Sequence, residues 1–143
     1  MSSDGPSMIM VGIDGTDTSM RAAAFAVGLA RRQNARLVAV FVAEPSAWVP
    51  MGAPGLAYAQ AQNADALADE LGQQVCRGAR DLGIGVTFRY VHGDPYQELS
   101  RAADEIHADL VVVGASTGLR HRLLPSTGSR LVRARRWPVV VVP

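Results

Sequence analysis

The apolar residues of this chain fall into short unbroken runs, and between the runs they return every three to four positions. Residues 8–13 (MIMVGI), 36–42 (RLVAVFV), 86–91 (VTFRYV), 109–113 (DLVVV) and 139–142 (VVVV) are the runs. Continuous apolar strands of this length, rather than alternating ones, are what a parallel sheet covered on both faces requires. The intervening stretches predict helices over about 20–32, 60–82, 96–107 and from 126 or 128 to 136. Ala22, Phe25, Ala26 and Leu29 form the apolar face of the first; Leu67, Leu71, Val75 and Ala79 form that of the second; Leu99, Ala103 and Ile106 form that of the third.

Local signals punctuate this alternation. Asp17 and Thr18 are N-cap candidates for the first helix. His92-Gly93-Asp94-Pro95 predicts a turn in which Asp94 caps, Pro95 takes the first helical position and Gln97 completes a capping box. Gly83 stops the second helix, and Trp137-Pro138 ends the last. Three prolines and two glycines between 43 and 58 predict a long surface loop. Strand and helix alternating from end to end define an open parallel α/β sheet with helices on both faces. Residues 1–7 read as a flexible N-terminal tail and 8–143 as one domain.

Composition narrows the function classes. At 143 residues with 48% hydrophobic and 19% charged residues, the chain is long enough for one sizeable core. Net charge is +1, and six of the arginines (Arg120, Arg122, Arg130, Arg133, Arg135, Arg136) lie in the final quarter. Without interleaved aromatic residues this local basic character favours a solvated helix face and anion-loop residues over a nucleic-acid surface. Cys76 is the only cysteine, which excludes an internal disulfide framework. No apolar run reaches membrane-span length and no secretory leader is visible, so the expected location is the cytoplasm.

Candidate chemistry gathers at two strand ends. The first strand closes on Gly12-Ile13-Asp14-Gly15, and the fourth opens into Gly114 to Ser129, a glycine, small-residue and basic loop that leads into a helix. Ligands of open α/β sheets sit outside the carboxyl ends of strands, and anions favour a helix N-terminus. If the two strands are neighbours, Asp14 can accept from a ribose hydroxyl or a base, while Gly118, Gly128 and Ser129 supply donors to phosphates. Asp14 reads equally well as a turn residue capping the next helix. The chain contains no lysine, which excludes a Walker A loop and Schiff-base chemistry, and no GxGxxG follows the first strand. Of the three histidines, His107 reads as a cation at a helix C-terminus, His92 as a turn residue, and His121, between Arg120 and Arg122, either as a solvated loop residue or as one whose position could touch a phosphate. The uncharged terminal strand Val139 to Val142 is a template for another chain.

VGIDGTDTS, the HGDP turn, DLVVVGAST, the glycine-serine pair before the last helix and the closing WPVVVVP together resemble the universal stress protein family, in its small single-domain form, over nearly the whole chain. Nucleotide-binding members carry G-x2-G-x9-G-[ST] after the fourth strand. Gly118, nine residues, Gly128 and Ser129 match its latter part; Gly114 lies four positions before Gly118 rather than three. Counted back from Trp137-Pro138, Pro125-Ser126 takes the glycine-serine position instead, and a proline there removes one N–H from the anion site. The resemblance implies a Rossmann-like fold with strand order 3-2-1-4-5, which sets the first and fourth strands side by side. It implies ATP with a divalent cation such as Mg, Asp14 against the adenosine, the Val40 backbone at the adenine edge, Gly114 beside the ribose, and Gly118, Gly128 and Ser129 at the phosphates. It also implies a homodimer through Val139 to Val142 and a regulatory stress-response role with little or no turnover. A dimeric interaction module that binds no nucleotide and a weak ATP hydrolase are the alternative readings.

Overall fold

The computed structural model describes residues 4–44, 54–116 and 126–143. Within them the chain runs β1 (Met8–Ile13), α1 (Asp17–Gln33), β2 (Arg36–Ala43), α2 (Pro54–Asp81), β3 (Val86–His92), α3 (Pro95–Ile106), β4 (Leu110–Gly114), α4 (Thr127–Ala134) and β5 (Val139–Val142). All strand pairs are parallel, in the order β3-β2-β1-β4-β5, the order that the family resemblance implies.

The two-residue period of each strand divides the core between the two faces of the sheet. Ile9, Val11, Ile13, Leu37, Ala39, Phe41, Leu110 and Val112 pack on α1 and α2. Met10, Val38, Val40, Val111 and Val113 pack with Leu99, Ala102 and Ala103 of α3 and Leu131 of α4. Both faces are therefore apolar, which is why the strands read as unbroken runs.

The helices differ from expectation in detail. α1 is capped by Thr16, whose hydroxyl accepts from Ser19 N at 3.2 Å, not by Asp17 or Thr18. Asp14 holds Thr16 through its N–H and its hydroxyl and so fixes the cap one residue earlier. The buried face of α1 is Ala22, Ala23, Ala26, Val27 and Ala30, and Phe25 lies outside it at 39% exposed. Small residues let α1 approach the sheet closely, and Phe25 stands about 100° around the helix from Ala26. Leu67 is likewise exposed, whereas Leu71, Val75 and Ala79 are buried. α2 begins at Pro54, so residues 54–58 belong to a helix and not to the expected loop. Proline suits a first turn, where its missing N–H costs nothing. The rest of that loop, 45–53, lies outside the described residues.

Asp94 caps α3 by accepting from Gln97 N at 3.0 Å, with Pro95 in the first turn. Left-handed residues end three helices: Asn34 (φ 52°), His107 (φ 54°) and Arg135 (φ 56°). Gly83 ends α2 with φ 77°. Ser7, expected in the tail, is tied into the sheet: its N–H and hydroxyl donate to Asp109 Oδ2 at 3.0 and 2.8 Å, and Met8 N donates to the same oxygen at 2.9 Å. These donors hold the Asp109 carboxyl below its ordinary range.

Candidate functional site

The strand order places the end of β1 beside the end of β4, and a cleft of about 140 Å³ opens there. Among the described residues its walls come from five segments: Gly12 to Asp14 with Thr16 and Ser19, Val42 and Glu44, Pro95 and Leu99, Val113 to Ser116, and Thr127 with Gly128. The lining divides chemically between apolar side chains, Val42, Pro95, Leu99 and Val113, and polar groups, namely the carboxylates of Asp14 and Glu44, hydroxyls and a helix N-terminus. Such a split suits a ligand with a flat apolar part and an anionic part.

Glycine is required where β4 meets α1. A Cβ on Gly114 would stand 2.5 Å from the carbonyl carbon of Thr18 and 2.6 Å from Ser19 N. Those are backbone atoms, which no side-chain rotation can move. Thr18 Oγ1 donates to Ala115 O at 2.7 Å and closes the same junction. Gly12 is hemmed in by Leu99 Cδ1, which would lie 3.0 Å from an added Cβ.

Asp14 sits at the polar end of the cleft. Its Oδ1 accepts from Thr16 N at 3.0 Å and from Thr16 Oγ1 at 2.6 Å, and its own N–H donates to Ser19 Oγ at 3.3 Å. The turn reading of Asp14 is thus realised, and the same residue lines the cleft.

Across the cleft, Ser126 caps α4: its Oγ accepts from Ser129 N at 3.1 Å and donates to Ser129 Oγ at 2.9 Å. Ser129 N–H is consumed by this cap, and Ser129 does not line the cleft. The N–H groups of Thr127 and Gly128 are the first-turn donors that have no carbonyl partner within a helix, and both residues do line it. Gly128 is buried, and an added Cβ would meet Val113 Cγ2 at 3.3 Å and Val141 Cγ2 at 3.4 Å.

Of the residues expected at the site, Asp14, Gly114 and Gly128 therefore converge on one cleft. Val40 does not reach it: it is fully buried, with its backbone in the sheet between Gly12 and Arg89. β2 runs on to Ala43, so the residue of that strand at the cleft is Val42, two positions later on the same face. Gly118, Arg120, His121, Arg122 and Pro125 lie outside the described residues. Thr16, Ser19, Val42, Glu44, Leu99 and Thr127 were not anticipated as lining residues. TDTS carried a usable signal for the first two, since hydroxyls at a helix start beneath a strand end face the ligand side of such a sheet. Among the described residues no cluster of three or more His, Cys, Asp or Glu could hold a metal ion, and no helix is long and apolar enough to cross a membrane.

A cleft at the carboxyl ends of the central strands of a 3-2-1-4-5 sheet, closed by a capped helix start, defines an α/β protein of the doubly wound class, whose ligands bind at such a crevice. Residues 7–143 match the sequence profile of the universal stress protein family, and the chain belongs to that family. It is 29% identical over 136 residues to the universal stress protein MJ0531 of Methanocaldococcus jannaschii, covering 94% of this chain and 80% of that one. The universal stress protein UspA from Lactobacillus plantarum superposes with a TM-score of 0.84 at 25% identity, covering 96% and 97% of the two chains. A universal stress protein solved in complex with cAMP superposes with a TM-score of 0.75 at 29% identity over 99% of each chain.

Proposed function

We propose that this chain is a regulatory protein of the stress-response type that binds an adenine nucleotide, ATP foremost, in the cleft between the ends of β1 and β4. The observation that carries the reading is the convergence of Asp14, Gly114 and the α4 N-terminus on one partly apolar cleft. The base lies against Val42 and Leu99. Asp14 accepts from the ribose through the carboxylate oxygen that Thr16 leaves free. The phosphates face the N–H groups of Thr127 and Gly128, where the helix dipole favours negative charge. The relative solved with cAMP supports the adenine assignment.

Among the described residues the acidic groups lining the cleft are Asp14 and Glu44. A divalent cation such as Mg fits as one held mainly by phosphate oxygens, with at most these carboxylates behind it. Binding without turnover is favoured because Thr16 occupies Asp14 Oδ1 and the remaining carboxylate oxygen is taken by the ribose, away from the phosphates, where it would not serve as general base to an attacking water. The assembly proposed is a homodimer through β5, an edge strand whose Val141 is 44% exposed.

Calorimetric titration with ATP, AMP and cAMP, with and without Mg, tests the site. At least one nucleotide binds, and Asp14→Ala weakens it by about tenfold or more, as loss of a charged hydrogen bond requires. Failure of all three nucleotides to bind would leave an interaction module of the same fold.

A further inference from the structure

A groove of about 680 Å³ lies at the opposite edge of the sheet from β5, between α2 and the edge strand β3. Its floor is Phe88 and Tyr90, both half-buried. Gly72 lets the helix sit directly on Phe88, whose ring would be 3.0 Å from an added Cβ. Charged residues line its length in a fixed order: Asp65 and Asp69 toward the start of α2, Arg77 and Arg80 toward its end. Asp65 accepts from Tyr90 Oη at 2.7 Å. Asp69, Arg77 and Arg80 are exposed and have no ion-pair or hydrogen-bond partner among the described residues.

This charge order is its own complement under a two-fold axis. An axis crossing α2 beside Gly72 and Gln73 sets Asp65 against Arg80 of a second copy and Asp69 against Arg77, each pair occurring twice. Isologous interfaces require this relation, and a groove shaped for an unrelated ligand does not. In that arrangement the arginine stems of the second copy would fill the groove over the two aromatic rings, where a guanidinium gains from the ring face as well as from the carboxylate.

We propose that the α2 and β3 groove is a self-association surface occupied by the same groove of a second copy of this chain, separate from any contact made by β5. With both contacts in use, each protomer has partners at opposite edges of its sheet, and the assembly exceeds a dimer. The proposal rests on neither the nucleotide site nor the β5 contact.

Reciprocal charge reversal tests it, read by sedimentation equilibrium and native mass spectrometry in a Val141→Lys background that disables the β5 edge. The Val141→Lys chain forms dimers. Adding Asp69→Arg or Arg77→Glu weakens them by about tenfold or more, since each places like charges opposite one another twice. Mixing the two variants restores a heterodimer: the arginine introduced in one chain faces the glutamate introduced in the other, and the native Arg77 of the first faces the native Asp69 of the second. A Val141→Lys chain that is monomeric throughout would overturn the proposal, as would dimers indifferent to both reversals or a mixture that stays monomeric. A wild-type dimer indifferent to Val141→Lys and lost with Arg77→Glu would support this surface and remove the β5 contact.

Discussion

Thr18 Oγ1 donates to the carbonyl of Ala115 at 2.7 Å across 97 positions of sequence. The bond joins the first turn of α1 to the residue following β4 and so fixes the two walls of the cleft against each other. Thr18 is 5% exposed, which leaves water little part in replacing that bond.

Gly114 is the steric half of the same junction. Gly114→Ala is expected to destabilise the fold by about 1–3 kcal/mol, the usual cost of overpacking, because the added Cβ meets backbone rather than a movable side chain. Urea denaturation followed by circular dichroism measures it. A midpoint equal to wild type would show that β4 and α1 can separate freely.

Ser126 carries the start of α4. Ser126→Ala removes the acceptor of Ser129 N and is expected to cost about 1 kcal/mol. Ser129→Ala leaves the backbone bond in place and is expected to cost less. The ratio of the two, read in thermal melts, separates a capping role from direct participation of the Ser129 side chain.

Asp109 sets an acid limit. Its folded-state pKa is depressed by the donors from Ser7 and Met8, so its contribution is present above the ordinary carboxylate pKa and is lost as pH falls through the lowered one. Asp109→Asn is therefore expected to lower stability at neutral pH by about 1 kcal/mol after solvent screening. Acid unfolding curves of the two proteins should converge at low pH. Parallel curves there would assign the loss to packing.

Tyr90 reports on the α2 and β3 groove. Burial and the bond to Asp65 push its phenol up to about 12. A group raised in this way stabilises fully below its ordinary value, and that contribution disappears as pH rises through the shifted one. Ultraviolet titration should show one tyrosine ionising late, and Asp65→Asn should return it toward the ordinary value. A late phase that survives Asp65→Asn would assign the shift to burial alone.

The order and type of elements were legible because a parallel sheet buried on both faces leaves continuous apolar runs, and because Asp94-Pro95 and Gly83 act on their immediate neighbours. The resemblance supplied the strand order. Asp14, Gly114 and Gly128 were legible for a related reason: a site at strand ends and a helix start is marked by residues that end strands and begin helices. What only the tertiary structure decided depends on distances between segments far apart in sequence. Val42 replaces Val40 at the cleft because β2 extends to Ala43. Thr16 and Ser126 are the caps because of which hydroxyl reaches which N–H. Phe25 is exposed because small alanines, not the largest apolar residue, set how closely α1 meets the sheet. The sequence by itself determined the local periodicities and turns, which are encoded within a few residues; the junction of Thr18 with Ala115, and the face of α2 left open beside β3, exist only once the sheet has brought remote segments together.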